Sequence, residues 1–592
     1  MAQNITADEL FGRIRELLTA TDLQPATRNS MVHEVLVLCC HEGVRDTEQS
    51  FGNLFSQVDF LCKRHRVGVS DKADIQTMRR HSNGSEPLAR EELLYDGRAL
   101  SIFVSAVMGK DIPSGLTKII PHTHRPHQTG QEINSRQVRC VVDGWDDNCL
   151  YATPDGETGG EQYAVRLRNE TDGTDHSYLT GIIRKGTQLN LLDCHIETET
   201  KADSGERASE EGRGQRMLTA RIIVVEPDFL IDISSIAACF AEYGHHPMLY
   251  LLNQMKPRVN TQATLLGNFA GAALDDIVNS RGDYNMNDTV RSNFREKALE
   301  FTTCRDFNAQ KFYADALVQA GNLQRVVDIL FGHGNGSTDN LAPTPSPTGE
   351  KRGMALLEPS FVCEALGIQG RVDLMTTDMR LLVEQKSGRN MNIERERPNI
   401  AYHSYQLEPH YVQLLLYYGV LRYNFRLGTN TVDIRLLYSK YPPKDGLMVV
   451  AYYHQLFLEA IAYRNRLVAM HFDIARKGFG RYVGELTPET LNVNGATDFF
   501  YNTYLRPPLE ELTAPLHRLT PLQRDYFNRM MTFVVREQLI GKVGSQEGTN
   551  TSSSDLWGMP LAEKRDTGNI YTGLRIMRKE RSSDYNGYDT VT

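Results

Sequence analysis

Residues 366–389 read LGIQGRVDLMTTDMRLLVEQKSGR. Ile368 to Met375 and Arg380 to Val383 have the apolar texture of two β-runs, with Thr376–Met379 as the turn between them. With that turn centred between Thr377 and Asp378, Asp373 falls opposite Leu382, and alternation puts Glu384 and Lys386 on the face of Asp373. A one-residue slip of register would separate them. The apolar neighbours in GRVD and LLVEQKSG imply burial, and buried charges pair with one another or bind metal. The bland alternative, a solvated hairpin with a Glu–Lys pair, fits the spacing equally well and the apolar setting less well.

The three residue types suit one chemistry. Phosphodiester hydrolysis at neutral pH needs an oxygen-ligated divalent cation, an activated water and compensation of charge at phosphorus. Two carboxylates at hairpin distance can hold Mg²⁺ or Mn²⁺, which prefer oxygen ligands. Such a cation lowers the pKa of bound water and polarises the phosphate. A lysine two residues beyond the second carboxylate shares its face and can orient the water or neutralise developing charge.

GRVD followed by EQKSG resembles motifs II and III of the RecB-like branch of the PD-(D/E)XK nucleases. The resemblance continues at Gln413 and Tyr417 in QLLLY, 27 residues after Lys386, which match that branch's Q-x₃-Y helix motif. These two residues fall on one helical face. The resemblance covers roughly residues 248–540. It implies Asp373 and Glu384 as metal ligands joined by the Gln385 carbonyl, Lys386 as the group that positions the nucleophile or stabilises charge, and Gln413 and Tyr417 as supports of hairpin or substrate. It further implies DNA as substrate, single strands or ends above internal duplex sites. A superfamily 1 helicase domain or subunit is the expected partner, because WGMPLAEKRDTGNIYTGLRIM (557–577) resembles the junction leading into such a motor.

The chain departs from the branch at its first motif, G-x₃-H, whose histidine supplies another metal ligand. LLGNFAGAALDDIV (265–278) has Gly267 but Gly271 where the histidine would fall. Asp275, one turn further on, is the expected substitute, while Asp276 would point elsewhere. The missing histidine keeps a second reading open, a catalytically inactive nuclease-fold scaffold that binds DNA ends or a partner protein.

Outward from this segment, the expected architecture is multidomain. Residues 1–116 have helical periodicity, and 117–240 contain five short β-like runs (138–142, 163–167, 178–183, 188–192 and 221–225) suggesting a small β-barrel, possibly OB-like. Residues 241–331 are the helical first part of an α/β restriction-endonuclease-like nuclease domain, 332–354 a flexible linker, 355–544 its catalytic part, and 545–592 a flexible tail or junction. The 199–215 stretch reads as a charged loop.

Length and composition bound the function more loosely. A chain of 592 residues exceeds one core. A net charge of −9 argues against coating nucleic acid by bulk electrostatics, though not against a local basic groove. The run Arg389, Arg395 and Arg397 is a candidate phosphate track for substrate binding. Nine scattered cysteines without a CxxC pair fit a reducing, cytoplasmic setting, and the C-terminal half holds only Cys304 and Cys363, so no iron–sulfur cluster is expected. No membrane segment and no P-loop is expected either. His122, His124 and His127 in PHTHRPH invite a zinc reading that no carboxylate or cysteine nearby in sequence supports.

Overall fold

Five helices open the chain: α1 (Ala7–Thr19), α2 (Pro25–Gly43), α3 (Leu54–Arg64), α4 (Val69–Asn83) and α5 (Arg90–Met108). α1 starts on a capping box, in which Thr6 and Glu9 satisfy each other's backbone amides. Its apolar stripe Leu10, Ile14, Leu17 and Leu18 then seals a helical core with Leu36, Leu61, Met78 and Phe103. The structure is a computed structural model that describes all residues except 1–4, 21–22, 48, 85–86, 126–132, 156–161, 170–171, 198–214, 281–283, 332–354, 397–404, 429–430, 545–551, 581–589 and 592. The proposed linker 332–354 and nearly all of the charged loop at 199–215 lie outside the described residues, as do Arg397, His127 and the start of the tail.

A closed five-stranded barrel follows, β2 (Ser135–Trp145), β3 (Cys149–Pro154), β4 (Gln162–Arg166), β5 (Gln188–Ile196) and β6 (Gln215–Val225), in the order β2-β3-β4-β6-β5, with β4 and β6 parallel. One of the five expected strands is wrong. Residues 178–183 are no strand: Ser177–Gly181 is a 3₁₀ turn whose Leu179, with Ile183 beyond it, plugs the barrel core. A strand would put Gly181 on the inward face with Leu179 and Ile183, and it is exposed. The fifth strand is Cys149–Pro154, in which Leu150 and Ala152 alternate inward.

The largest sheet joins residues from both ends of the chain. A two-residue strand β1 (Ser50–Phe51), between α2 and α3, leaves the helical unit to form its edge. The other strands are β8 (Ala355–Leu357), β11 (Leu374–Thr376), β12 (Leu381–Lys386), β13 (Asp433–Tyr438) and β14 (Leu447–Val450), in the order β1-β14-β13-β12-β11-β8. A second, three-stranded sheet carries β7 (Ile231–Asp232), β9 (Ser360–Cys363) and β10 (Ile368–Arg371). The expected single run Ile368–Met375 is therefore two strands in two sheets, β10 and β11, broken at Val372–Asp373.

Helices α6 (Gln262–Asn279) and α7 (Ala309–Phe331) cover the large-sheet face carrying Leu374, Leu381, Val383 and Leu437. Helices α8 (Glu408–Phe425) and α9 (His454–Lys477) cover the face carrying Met375, Leu382, Leu436 and Tyr438. The strict alternation is what a sheet buried on both sides requires. α10 (Pro521–Val543) packs on α9. Among the described residues no helix is long and apolar enough to cross a membrane.

Candidate functional site at the β11–β12 hairpin

Leu374 pairs with Val383 and Met375 with Leu382, so the next position of the ladder sets Asp373 against Glu384, not Leu382 as the sequence suggested. The loop is longer than expected. Met379 donates its amide to Thr376 O at 2.9 Å and takes a left-handed φ of 57°, and Leu381 N reaches Thr376 Oγ1 at 3.0 Å. The register moves by two residues, which leaves every side chain on its original face. Glu384 and Lys386 therefore share a face, Glu384 lying beside Leu436 and Lys386 beside Tyr438 of parallel β13.

Four groups close on one another there. Lys386 Nζ donates to Glu384 Oε1 at 2.7 Å and to Gln413 Oε1 at 3.0 Å, and Gln413 Nε2 donates to Glu384 Oε1 at 2.7 Å. Tyr417 OH lies 3.5 Å from Gln413 Nε2 and donates to Arg371 O at 2.6 Å, tying α8 to the end of β10. The glycine of GRVD has a steric reason here: a Cβ on Gly370 would lie 2.9 Å from the Tyr417 ring. Asp373 is held from the other strand, its Oδ2 accepting the Gln385 amide at 2.6 Å.

The carboxylates are crowded and dry. Burial first, then the charge of Asp373, pushes Glu384 up to about 8 despite Lys386. Burial also raises Asp373, against the pull of Lys386. Asp275, on α6, is raised to about 7 by burial and by the charges of Glu358, Asp276 and Asp373. Like charges raise one another's pKa only when they share a neighbourhood, so Asp275 faces the same acidic corner. Asp276 turns away, accepting from Thr289 Oγ1 at 2.5 Å. α6 runs past the end of β12, since a Cβ on Gly267 would meet Ser387 Oγ at 3.2 Å, whereas one on Gly271 would meet nothing within 4 Å.

Glu384 Oε2 is buried and has no hydrogen-bond partner among the described residues. A buried carboxylate oxygen without a partner, close enough to feel the charge of a second carboxyl, Asp373, is the kind of donor a hard divalent cation takes up. Asp275, Asp373 and Glu384 do not bring their ligand atoms within 4.8 Å of one another; among the described residues the one trio that does is Asp71, Asp74 and His124. In that trio a cation is already supplied, because Arg98 pairs with Asp71 at 3.0 Å and with Asp74 at 3.3 Å. His124 thus has carboxylate neighbours that its own stretch of sequence does not show.

Two residues of the basic run, Arg389 and Arg395, find other partners, and the third, Arg397, lies outside the described residues. Arg389 pairs with Glu394, which also takes Lys440 at 3.2 Å and Tyr441 OH at 2.9 Å. Arg395 acts on Glu242, and no described contact joins either arginine to Asp373, Glu384 or Lys386. One residue that the sequence did not single out stands beside Lys386: His410, one turn before Gln413 on α8, whose ring feels the lysine charge. Its spacing to Gln413 and Tyr417, three and seven residues, was the available signal. Compared with known proteins, the chain matches no family model, and no curated protein matches it in sequence.

Proposed function

We propose that this protein is a divalent-metal-dependent nuclease that hydrolyses DNA phosphodiester bonds on single strands or ends. Its α/β domain is read as a RecB-like PD-(D/E)XK nuclease, its barrel as OB-like, and a superfamily 1 helicase as its working partner. The observation that carries the reading is the hairpin itself: Asp373 against Glu384, with Lys386 and Gln413 gathered on Glu384 and Glu384 Oε2 without a partner among the described residues.

Asp373 and Glu384, with Asp275 from α6, would hold the cation. When bound, Mg²⁺ or Mn²⁺ supplies Lewis acidity and a water of lowered pKa. The chain's own residues set the rest. The Gln385 amide fixes Asp373 in one rotamer, Gln413 orders both Glu384 and the Lys386 ammonium, and Tyr417 pins the helix to the hairpin. Lys386 brings a positive charge, one-fifth exposed, to the place where negative charge grows at phosphorus. The opening at Gly271 favours a second reading, an inactive scaffold on DNA ends, since the position that carries a ligand in the resembled branch has no side chain.

Cleavage of end-labelled single- and double-stranded DNA separates the two. Cutting should depend on Mg²⁺ or Mn²⁺ and stop on chelation, and Asp373→Ala and Lys386→Ala should each lose about 10²-fold or more with unchanged melting temperatures. Wild-type rates in both variants would show that the activity resides elsewhere. Binding of DNA ends without any metal-dependent cutting would favour the scaffold.

A further inference from the structure

His410 occupies the first turn of α8, three residues before Gln413 and seven before Tyr417, so the three side chains lie along one stripe of the helix. Beneath it stands Tyr438, which is the β13 residue in register with Lys386. Tyr438 OH lies 3.1 Å from His410 Nδ1 and accepts the Leu407 amide at 3.1 Å.

The Leu407 amide is a donor, so among the described residues His410 Nδ1 is the one acceptor within reach of the buried Tyr438 hydroxyl, whose hydrogen goes there. The imidazole is therefore the Nε2–H tautomer. Burial, reinforced by the Lys386 charge, pushes its pKa down to about 3, so the ring is neutral and a donor at Nε2 throughout the physiological range. Nε2 has no hydrogen-bond partner among the described residues, and the half-buried ring leaves it open. An imidazole locked at one nitrogen and unengaged at the other, beside the lysine of a buried acidic site, has the form of a preorganised donor.

We propose that His410 is a further catalytic residue of this site, donating an Nε2–H hydrogen bond to a non-bridging oxygen of the phosphate under attack. The inference rests on the nuclease reading and names a substrate contact within it. A neutral donor strengthens its bond as charge accumulates on that oxygen and does not compete with Lys386 as a second cation would. The carboxamide of a glutamine can place an N–H where His410 Nε2 stands, so the donor is replaceable in kind.

The test compares wild type, Asp373→Ala, His410→Ala and His410→Gln of the full chain, with Mn²⁺ and a labelled single-stranded DNA. His410→Ala should lower kcat by about 10²-fold, with KM and the melting temperature held. His410→Gln should recover most of that loss, and the pH–rate profile of His410→Ala should keep the wild-type shape, since the donor never titrates. Wild-type kcat in His410→Ala, or a glutamine variant no better than alanine, would overturn the role of His410. If at the same time Asp373→Ala is dead, the nuclease reading survives alone. A wild type that cuts nothing would overturn both.

Discussion

Gln413 holds the two charged ends of the candidate site with one side chain, its carbonyl oxygen on Lys386 and its NH₂ on Glu384. A carboxamide is the one uncharged group that offers a donor and an acceptor at this separation, so an acid or a lysine in its place would break one of the two contacts. Asp275 makes the sharpest residue-scale claim. Asp275→Asn should lower Mn²⁺ affinity at least about 10-fold, the scale on which even outer partners of a metal matter, while Asp276→Asn, whose carboxylate is spent on Thr289, should not. Gly271→His should act in the opposite direction and raise affinity, since a Cβ there meets open space. Calorimetric Mn²⁺ titration of the three variants decides. Equal affinities in Asp275→Asn and wild type would remove Asp275 from the ligand set.

Helix α8 carries His410, Gln413 and Tyr417, so its fixation governs the whole site. Its first residue, Glu408, is clamped by His245, which lies 3.1 Å away through Nε2 and 2.8 Å from Glu459 of α9 through Nδ1. Burial alone would depress that imidazole, but hydrogen bonds to the two glutamates outweigh it and raise the ring to about 9. A histidine raised from its ordinary 6.5 stabilises the fold fully below that value, and the contribution is lost as pH rises through about 9. The clamp should be worth on the order of 2 kcal/mol. Urea unfolding at pH 6 and pH 10 should therefore show a larger alkaline loss in wild type than in His245→Gln. The same loss in both would mean that His245 does not carry the charge assigned to it.

At the scale of the molecule, α9 sews the barrel to the domain built on the six-stranded sheet. Arg464 is wholly buried and donates to the carbonyls of Val225, Glu226, Phe229 and Gly367, while Asn465 bonds Val225 N and Ile223 O. From the barrel side, Asn190 reaches the carbonyls of Glu364 and Ala365. Gly367, at φ 62°, has no room for a Cβ, which would sit 2.3 Å from the Arg464 guanidinium. Arg464→Met leaves several buried carbonyls without donors, at about 1–3 kcal/mol each before relaxation. Calorimetry should show the melting temperature fall and a single transition split in two as the barrel uncouples. An unsplit transition at the wild-type temperature would show that the junction does not depend on Arg464.

The amino-acid sequence by itself determined what local pattern can carry. Helical spacing in the first hundred residues, the existence of a β-rich segment after it, the turn at Thr376–Met379 and the common face of Glu384 and Lys386 all follow from periodicities of 3.6 and 2. A register error of two residues left those faces intact, because side-chain direction repeats every two. What only the tertiary structure decided are pairings between distant segments. Ser50–Phe51 joins a sheet built some 300 residues later, Asp373 meets Glu384 after a strand breaks into two sheets, and His124, in a loop, meets Asp71 and Asp74 of α4. The 3₁₀ turn at Ser177–Gly181 was misread as a strand because a short apolar run has no period of its own until something packs against it. His410 became visible in the same way: its spacing puts it on the stripe of Gln413 and Tyr417, but only Tyr438 at one nitrogen and Lys386 beside the ring mark it as a donor. Long-range contacts select among conformations that local sequence leaves nearly equal in free energy, and the buried polar groups of the candidate site are selected most strongly, since each must find its partner or stay unpaired at a cost.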